Sequence, residues 1–71
     1  MHYTDITRTL TERREMMKVT QETLAELAGV GLRTVKLFES GKGNSTMKTI
    51  QKLADVLGLE LCLQLKQPGS K

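Results

Sequence analysis

The sequence has little of what small domains use as cross-links. Cys62 is the only cysteine and His2 the only histidine among 71 residues. A single cysteine excludes a disulfide within the chain, and this pair of ligand types disfavours a zinc site, so we expect no metal. Because a single domain of this length buries only about 60% of its unfolded surface, association with a second subunit is the remaining common means of stabilisation.

Features of membrane proteins and of enzymes are also missing. No apolar run approaches the roughly 20 residues of a membrane span, and residues 1–9 are too polar for a secretory signal. We therefore expect a cytoplasmic protein with no membrane partner. His2 has no catalytic partner at a useful spacing, and no glycine-rich phosphate loop follows a strand. We expect no enzyme activity and no cofactor.

The charge balance is mildly basic. Eleven lysines and arginines stand against eight acidic residues, for a formal net charge of +3. This balance is compatible with a polyanionic partner, although many ordinary soluble proteins carry as much charge.

Two helices are predicted in the first half of the chain. Thr4 or Asp5 is the expected N-cap of the first, which has apolar residues at helical spacing as far as Met17. Thr20 caps the second, and Gly29 ends it because glycine adopts the left-handed conformation without steric cost. The apolar face of this second helix comprises Leu24, Ala25, Leu27 and Ala28.

Two more helices are predicted after a tight turn. The third covers about residues 32–40 and ends at Gly41. After a glycine-rich loop, Ser45 is the expected N-cap of the fourth, which Gly58 ends. Its apolar residues repeat at intervals of three and four: Met47, Ile50, Leu53, Ala54 and Leu57.

The last part of the chain changes period. Residues 59–66 alternate between leucine or cysteine and polar side chains, which predicts a strand with one buried face: Leu59, Leu61, Leu63 and Leu65. No second strand is available, so we expect pairing with the same strand of a second subunit about a twofold axis. A fifth helix or a loose tail is the alternative. Residues 67–71 form a polar tail.

The segment 21–41 has the organisation of a helix-turn-helix. Two short helices are joined by a turn at 29–31, and Val35 and Phe38 are placed to hold the second helix from below. In such motifs the second helix lies in the major groove of duplex DNA while the first crosses the phosphate backbone.

These residues resemble the Cro/lambda-repressor (XRE) family over about residues 5–58. The resemblance is carried by Gln21, Glu22, Thr23, Leu24, Ala25, Gly29, Val30, Thr34, Val35, Phe38, Glu39, Ser40, Gly41 and Lys42. It implies a mainly α, lambda-repressor-like bundle in residues 1–58, which the dimerisation strand predicted from the alternating pattern follows in 59–66. The implied function is a nucleoid-associated transcriptional regulator, an autorepressor that binds a palindromic double-stranded operator as a homodimer.

The resemblance also implies roles for individual residues. Gln21 opens the second helix, where it touches phosphate and braces the third helix. Arg14 and Glu39 match a charged pair that ties the first helix to the end of the third. An exposed pair of this kind contributes no more than about 1 kcal/mol. The positions implied to face DNA are Leu32, Arg33, Thr34 and Leu37 at base edges, with Lys36, Lys42 and Asn44 near the backbone.

Side-chain chemistry ranks these candidates. Arg33 is the best base-contacting residue, because its planar guanidinium can bind guanine O6 and N7 together. Leu32 and Leu37 replace positions that are often polar in the family, so they contact thymine methyl groups or pack inward. Gly31 likewise replaces a better N-cap. For Arg33, Lys36 and Lys42 the alternative is an ordinary solvated surface charge.

Residues 57–61 and the alternating segment after them resemble the HipB-like antitoxin branch of the family. This implies a C-terminal dimerisation strand, repression of the protein's own operon and a HipA-like toxin kinase as partner. A plain autoregulatory or phage-type repressor is the competing interpretation. From another class, a protein-interaction module could use the same fold without DNA; Glu22, Glu26 and Glu39 around the motif favour that alternative.

Overall fold

The protein is mainly helical, as the sequence predicts. The computed structural model describes residues 2–62. Its helices are α1 (Tyr3–Met16), α2 (Gln21–Ala28), α3 (Leu32–Ser40) and α4 (Met47–Val56). Residues 2–62 contain no strand. The first four positions of the predicted strand, 59–62, therefore lie in non-helical chain, and the rest of it, with the polar tail, lies outside the described residues.

The ends of α2 and α3 follow from local chemistry. The Thr20 hydroxyl accepts a hydrogen bond from the Thr23 amide at 3.0 Å, which satisfies a donor left free at the start of α2. Gly29 ends α2 with φ of 72°, and Gly41 ends α3 with φ of 77°. Side chains are disfavoured in this left-handed region, which explains both glycines.

Two predicted N-caps are wrong. The cap of α1 is His2, and Asp5 lies inside the first turn, where its carboxylate accepts a hydrogen bond from the His2 backbone at 3.3 Å. The cap of α4 is Thr46, whose hydroxyl accepts from the Thr49 amide at 3.2 Å. Ser45 and Thr46 both have capping side chains and are adjacent, so the sequence does not separate them. Helix α1 instead begins before Thr4, at a residue that capping preferences do not favour.

The core lies where α2 meets both α3 and α4, with α1 packed against α3. Its buried apolar residues are Leu10, Leu24, Ala25, Val35, Phe38, Ile50, Leu53, Ala54 and Leu57. The Tyr3 ring contacts Phe38 edge-on, with 6.1 Å between ring centroids. At the other end of α1, Arg13 Nε donates to the Leu57 carbonyl oxygen at 2.9 Å. The first helix is thereby joined to the end of the last.

Three apolar residues that were predicted to lie on the inward faces of their helices are exposed. Met17 lies beyond the end of α1, Met47 is the first residue of α4, and Leu27 falls to the side of the inward face of α2. Conversely, Thr7 is buried, and its hydroxyl donates to the Thr4 carbonyl oxygen at 2.9 Å. A threonine that bonds to its own helix can stand on an apolar face at little cost.

Candidate nucleic-acid interface

The packing of α3 decides which of its side chains are available to a ligand. Val35 and Phe38 are completely buried, and this fixes the opposite side of the helix toward solvent. Arg33, Lys36 and Leu37 are exposed on that outer side. The helix thus presents two cations and one leucine on its outer side, where a helix that enters the major groove would carry its base-contacting residues.

The two leucines of α3 that the sequence leaves ambiguous lie in different environments. Leu32 is half-buried and packs against the core. Leu37 is 45% exposed. Packing therefore accounts for Leu32 in the free protein, and of the two only Leu37 is exposed enough to contact a ligand.

A shallow groove separates α3 from the loop before α4. It is lined by Thr34, Leu37, Gly43, Asn44, Ser45, Thr46 and Thr49. The loop approaches α3 closely: a Cβ atom added to Gly43 would lie 3.3 Å from the Cβ atom of Leu37. Of the predicted DNA-facing residues, Thr34, Leu37 and Asn44 come together here.

The hydroxyl groups that line this groove beside α4 are not among the DNA-facing residues predicted from the sequence. Ser45, Thr46 and Thr49 line it together with the first turn of α4. Unpaired backbone N–H groups at a helix N-terminus favour phosphate, and hydroxyl groups donate to it as well. The signal in the sequence is the hydroxyl-rich run at the start of α4, where a phosphate contact is expected from the backbone amides of residues 43–46 but the only hydroxyl given a role is that of Ser45, as the N-cap.

At the end of α3, Arg14 and Glu39 form a two-point ion pair. Arg14 Nε donates to Glu39 Oε2 at 2.6 Å, and Arg14 Nη2 donates to Glu39 Oε1 at 3.0 Å. Arg14 Nη1 also donates to the Val19 carbonyl oxygen at 2.7 Å. The hydrogen bonds to Glu39 raise the pKa of the Arg14 guanidinium above its ordinary value. The contact joins α1, the α1–α2 turn and the end of α3.

This ion pair differs from the exposed pair considered in the sequence analysis. The side chains of Arg14 and Glu39 are only 12% and 8% exposed. At such burial the removal of one partner leaves a charge without compensation, and the cost rises to several kcal/mol. The estimate of about 1 kcal/mol for an exposed pair therefore does not apply.

Gln21 completes the arrangement. Its side-chain Nε2 donates to Glu39 Oε1 at 2.9 Å, so the start of α2 is tied to the end of α3. Gln21 thus has a bracing contact, and contact with phosphate stays a prediction. Lys42 lies just after α3, and both it and Asn44 are exposed.

On another side of the molecule, the chain after α4 borders an apolar groove. Leu59 and Leu61 are half-buried there, beside Ile6, Leu10 and Ala54. The other two predicted dimerisation residues, Leu63 and Leu65, lie outside the described residues.

Within residues 2–62, no group of three potential metal-ligating side chains occurs. None of the helices there combines the length and apolar character needed to cross a membrane.

Comparison with known proteins agrees with the helix-turn-helix fold. A family model described as helix-turn-helix matches residues 10–64. The chain is also 38% identical over 56 residues to the cryptic phage CTXphi transcriptional repressor RstR of Vibrio cholerae serotype O1. The match covers 75% of this chain and 50% of that relative, so the chain spans about half the length of the curated protein it matches.

Proposed function

The chain belongs to the helix-turn-helix family, of the Cro/lambda-repressor type, and from this premise we propose that it regulates transcription by binding duplex DNA through α3. The observation that carries the proposal is the division of α3 into two sides. Val35 and Phe38 fix the helix in the core, while Arg33, Lys36 and Leu37 remain free on its outer side.

The proposed contacts divide into base and phosphate contacts. Arg33 binds a guanine edge with its planar guanidinium, which discriminates against other bases by roughly 1–3 kcal/mol. Lys36 and Lys42 attract phosphates and supply salt-dependent affinity. Asn44 and the first turn of α4 lie on the opposite wall of the groove, where a second phosphate fits.

We propose repression as the sign of regulation. The relative from Vibrio cholerae is named a transcriptional repressor. The operator is proposed to lie upstream of the protein's own gene, which makes the protein an autorepressor.

Homodimerisation is a further part of the proposal. Leu59 and Leu61 begin an alternating apolar row beside the groove formed by α1 and α4, and the sequence continues that row with Leu63 and Leu65. Pairing of two such segments about a twofold axis places two copies of α3 about 34 Å apart on a palindrome. Light scattering on Leu63→Asp, with Gln64→Asp as the control on the other face of the strand, tests this interface. We expect only Leu63→Asp to give monomers.

The HipB-like antitoxin role is the most specific part of the proposal, and it depends on the sequence resemblance alone. It predicts a neighbouring gene for a HipA-like kinase. The product of that gene should co-purify with this chain after co-expression. A neighbourhood without such a gene would favour the plain autorepressor.

Fluorescence anisotropy tests DNA binding directly. The probes are duplex DNA from upstream of the gene and a shuffled duplex, each at low and moderate salt. We expect tighter binding to the upstream duplex, and a steep loss of affinity with salt. Arg33→Ala should weaken specific binding about 5- to 150-fold, which corresponds to the loss of one good base contact.

Two further variants make the test specific. Arg8→Ala removes the same charge from the outer face of α1, where Arg8 pairs with Asp5 at 3.0 Å, and it should change affinity little. Arg33→Lys keeps the charge but loses the planar guanidinium, so it should retain salt dependence and lose discrimination. Salt-independent binding of a protein partner, with no effect of Arg33→Ala on DNA, would favour the interaction-module alternative.

A further inference from the structure

Leu37 is the only large apolar side chain exposed on α3. It stands in a groove whose other lining groups are polar or glycine: Thr34, Gly43, Asn44, Ser45, Thr46 and Thr49. A leucine at this place cannot form hydrogen bonds with phosphate or sugar oxygens, whereas it can contact an apolar group on a ligand.

The surroundings of Leu37 restrict its position. Gly43 lies against the base of the side chain, since a Cβ atom on Gly43 would come within 3.3 Å of the Leu37 Cβ atom and 3.6 Å of its carbonyl carbon. In a helix a leucine leans toward the preceding turn, which here contains Arg33 and Thr34. The exposed end of Leu37 is therefore expected beside the residues proposed to contact bases.

We infer that Leu37 determines specificity by contacting the 5-methyl group of a thymine in the major groove. The inference rests on the proposed binding of duplex DNA through α3. Thymine is the one unmodified base that offers a methyl group in that groove. Amino groups and oxygens of the other bases would lose water against Leu37 without gaining a hydrogen bond, which adds discrimination.

Helix geometry also predicts where this thymine lies. Leu37 follows Arg33 by four residues, which is a rise of about 6 Å along α3. Base pairs are spaced by about 3.4 Å. The thymine should therefore be found about two base-pair steps from the guanine that Arg33 binds.

Replacing thymine by uracil removes the methyl group alone and provides the test. The probe is a duplex enriched from a random pool by the full chain, with each thymidine replaced singly by deoxyuridine. Affinities are measured by anisotropy for the unsubstituted protein, Leu37→Ala, and Leu27→Ala. Leu27 is a leucine exposed on α2, so its substitution is the matched control.

The expected result is a single sensitive position in each half-site. Removal of the methyl group there should weaken binding by the unsubstituted protein and by Leu27→Ala about fourfold, the effect of losing one buried methyl-sized group. Leu37→Ala should bind the two duplexes equally. Any effect of uracil on DNA shape would persist in Leu37→Ala and is thereby separated from the contact.

The inference is overturned if the sensitivity to uracil is unchanged in Leu37→Ala, or if no thymine of the enriched duplex is sensitive. Either result leaves the proposed DNA binding intact as long as the enriched duplex is preferred to a shuffled one. Failure of the proposed function itself would be seen earlier, as the absence of any enriched sequence.

Discussion

The two sides of α3 differ in what they contact. On the inner side, Val35 and Phe38 are enclosed by the other helices, whereas on the outer side Arg33 and Leu37 face solvent. A substitution on the inner side should change the free energy of unfolding, and one on the outer side should change affinity for DNA. One helix of nine residues is thus constrained separately by folding and by DNA binding. Variants of neighbouring residues can test whether the two constraints are independent.

The largest expected difference in the free energy of unfolding is between substitutions of Phe38 and Leu37, which are adjacent in sequence but lie on opposite sides of α3. Phe38→Ala should reduce the free energy of unfolding by about 3–5 kcal/mol, because it removes a buried ring and leaves a cavity. Leu37→Ala should change it by no more than about 0.5 kcal/mol. Urea denaturation followed by circular dichroism measures both. Equal losses would show that Leu37 also belongs to the core.

The charged contact at the end of α3 tests whether a buried ion pair also contributes to stability. Glu39→Gln should cost about 3 kcal/mol, because the poorly exposed Arg14 guanidinium loses its counter-ion. Since the pKa of Arg14 is raised, this contribution is complete below the ordinary arginine range and is lost only at higher pH. The loss should therefore be the same throughout the neutral range.

Glu15→Gln is the control for that prediction. Glu15 lies 3.9 Å from Arg14 but is 64% exposed, so its loss should change the free energy of unfolding by no more than about 0.5 kcal/mol. Similar losses for Glu15→Gln and Glu39→Gln, measured by urea denaturation, would mean that burial does not distinguish the two carboxylates.

The opposite wall of the groove offers a smaller effect. Thr46→Ala should cost about 1 kcal/mol, because its hydroxyl caps α4. Ser45→Ala should leave the unfolding midpoint unchanged, although Ser45 lines the same groove. Thermal denaturation of the two variants decides which residue is the cap. A larger loss for Ser45→Ala would restore the assignment expected from the sequence.

The smallest expected effect is a gain at the start of α3. Gly31 is the N-cap with φ of −74° and makes no side-chain capping bond. A Cβ atom there would meet only Thr34 Oγ1, at an ordinary distance of 3.9 Å. Gly31→Ser should therefore stabilise the fold by about 0.5 kcal/mol.

Gly29→Ser, two residues earlier, should instead destabilise the fold. Gly29 has φ of 72°, so a side chain there should cost about 1 kcal/mol even though the space around it is open. Differential scanning calorimetry of both variants checks the pair. Destabilisation by Gly31→Ser would mean that the turn tolerates no side chain at its cap.

The helices were predictable because periodicity and turn residues agree along the chain. The bounds of α3 and the glycines after α2 and α3 are as expected. Capping residues were harder to predict, since Ser45 and Thr46 have similar chemistry and only the direction of the incoming chain separates them. The buried position of Thr7 depends on a bond to its own helix, which apolar periodicity does not register.

The candidate site was predictable at a coarser level. Sequence spacing predicts that Arg33 and Lys36 are on the outer side of α3, but it does not separate Leu32 from Leu37, because the width of the buried face depends on how the other helices pack. The loop at Gly43 approaches Leu37 only in three dimensions. The burial of the Arg14–Glu39 pair likewise arises from tertiary packing, which the sequence does not show.

The shortness of the helices links occupancy of DNA to the lifetime of the folded chain. α2, α3 and α4 have 8, 9 and 10 residues, fewer than the roughly 12 to 15 that an isolated helix needs to persist in water. Helix α3, through which we propose that DNA is bound, therefore exists only while the whole bundle does. By mass action, an operator present at about 100 times its dissociation constant adds about 2.7 kcal/mol to the stability of the bound protein. Molecules that leave DNA should consequently be the first that proteases remove, and the cellular pool of this regulator would adjust to the number of sites it occupies.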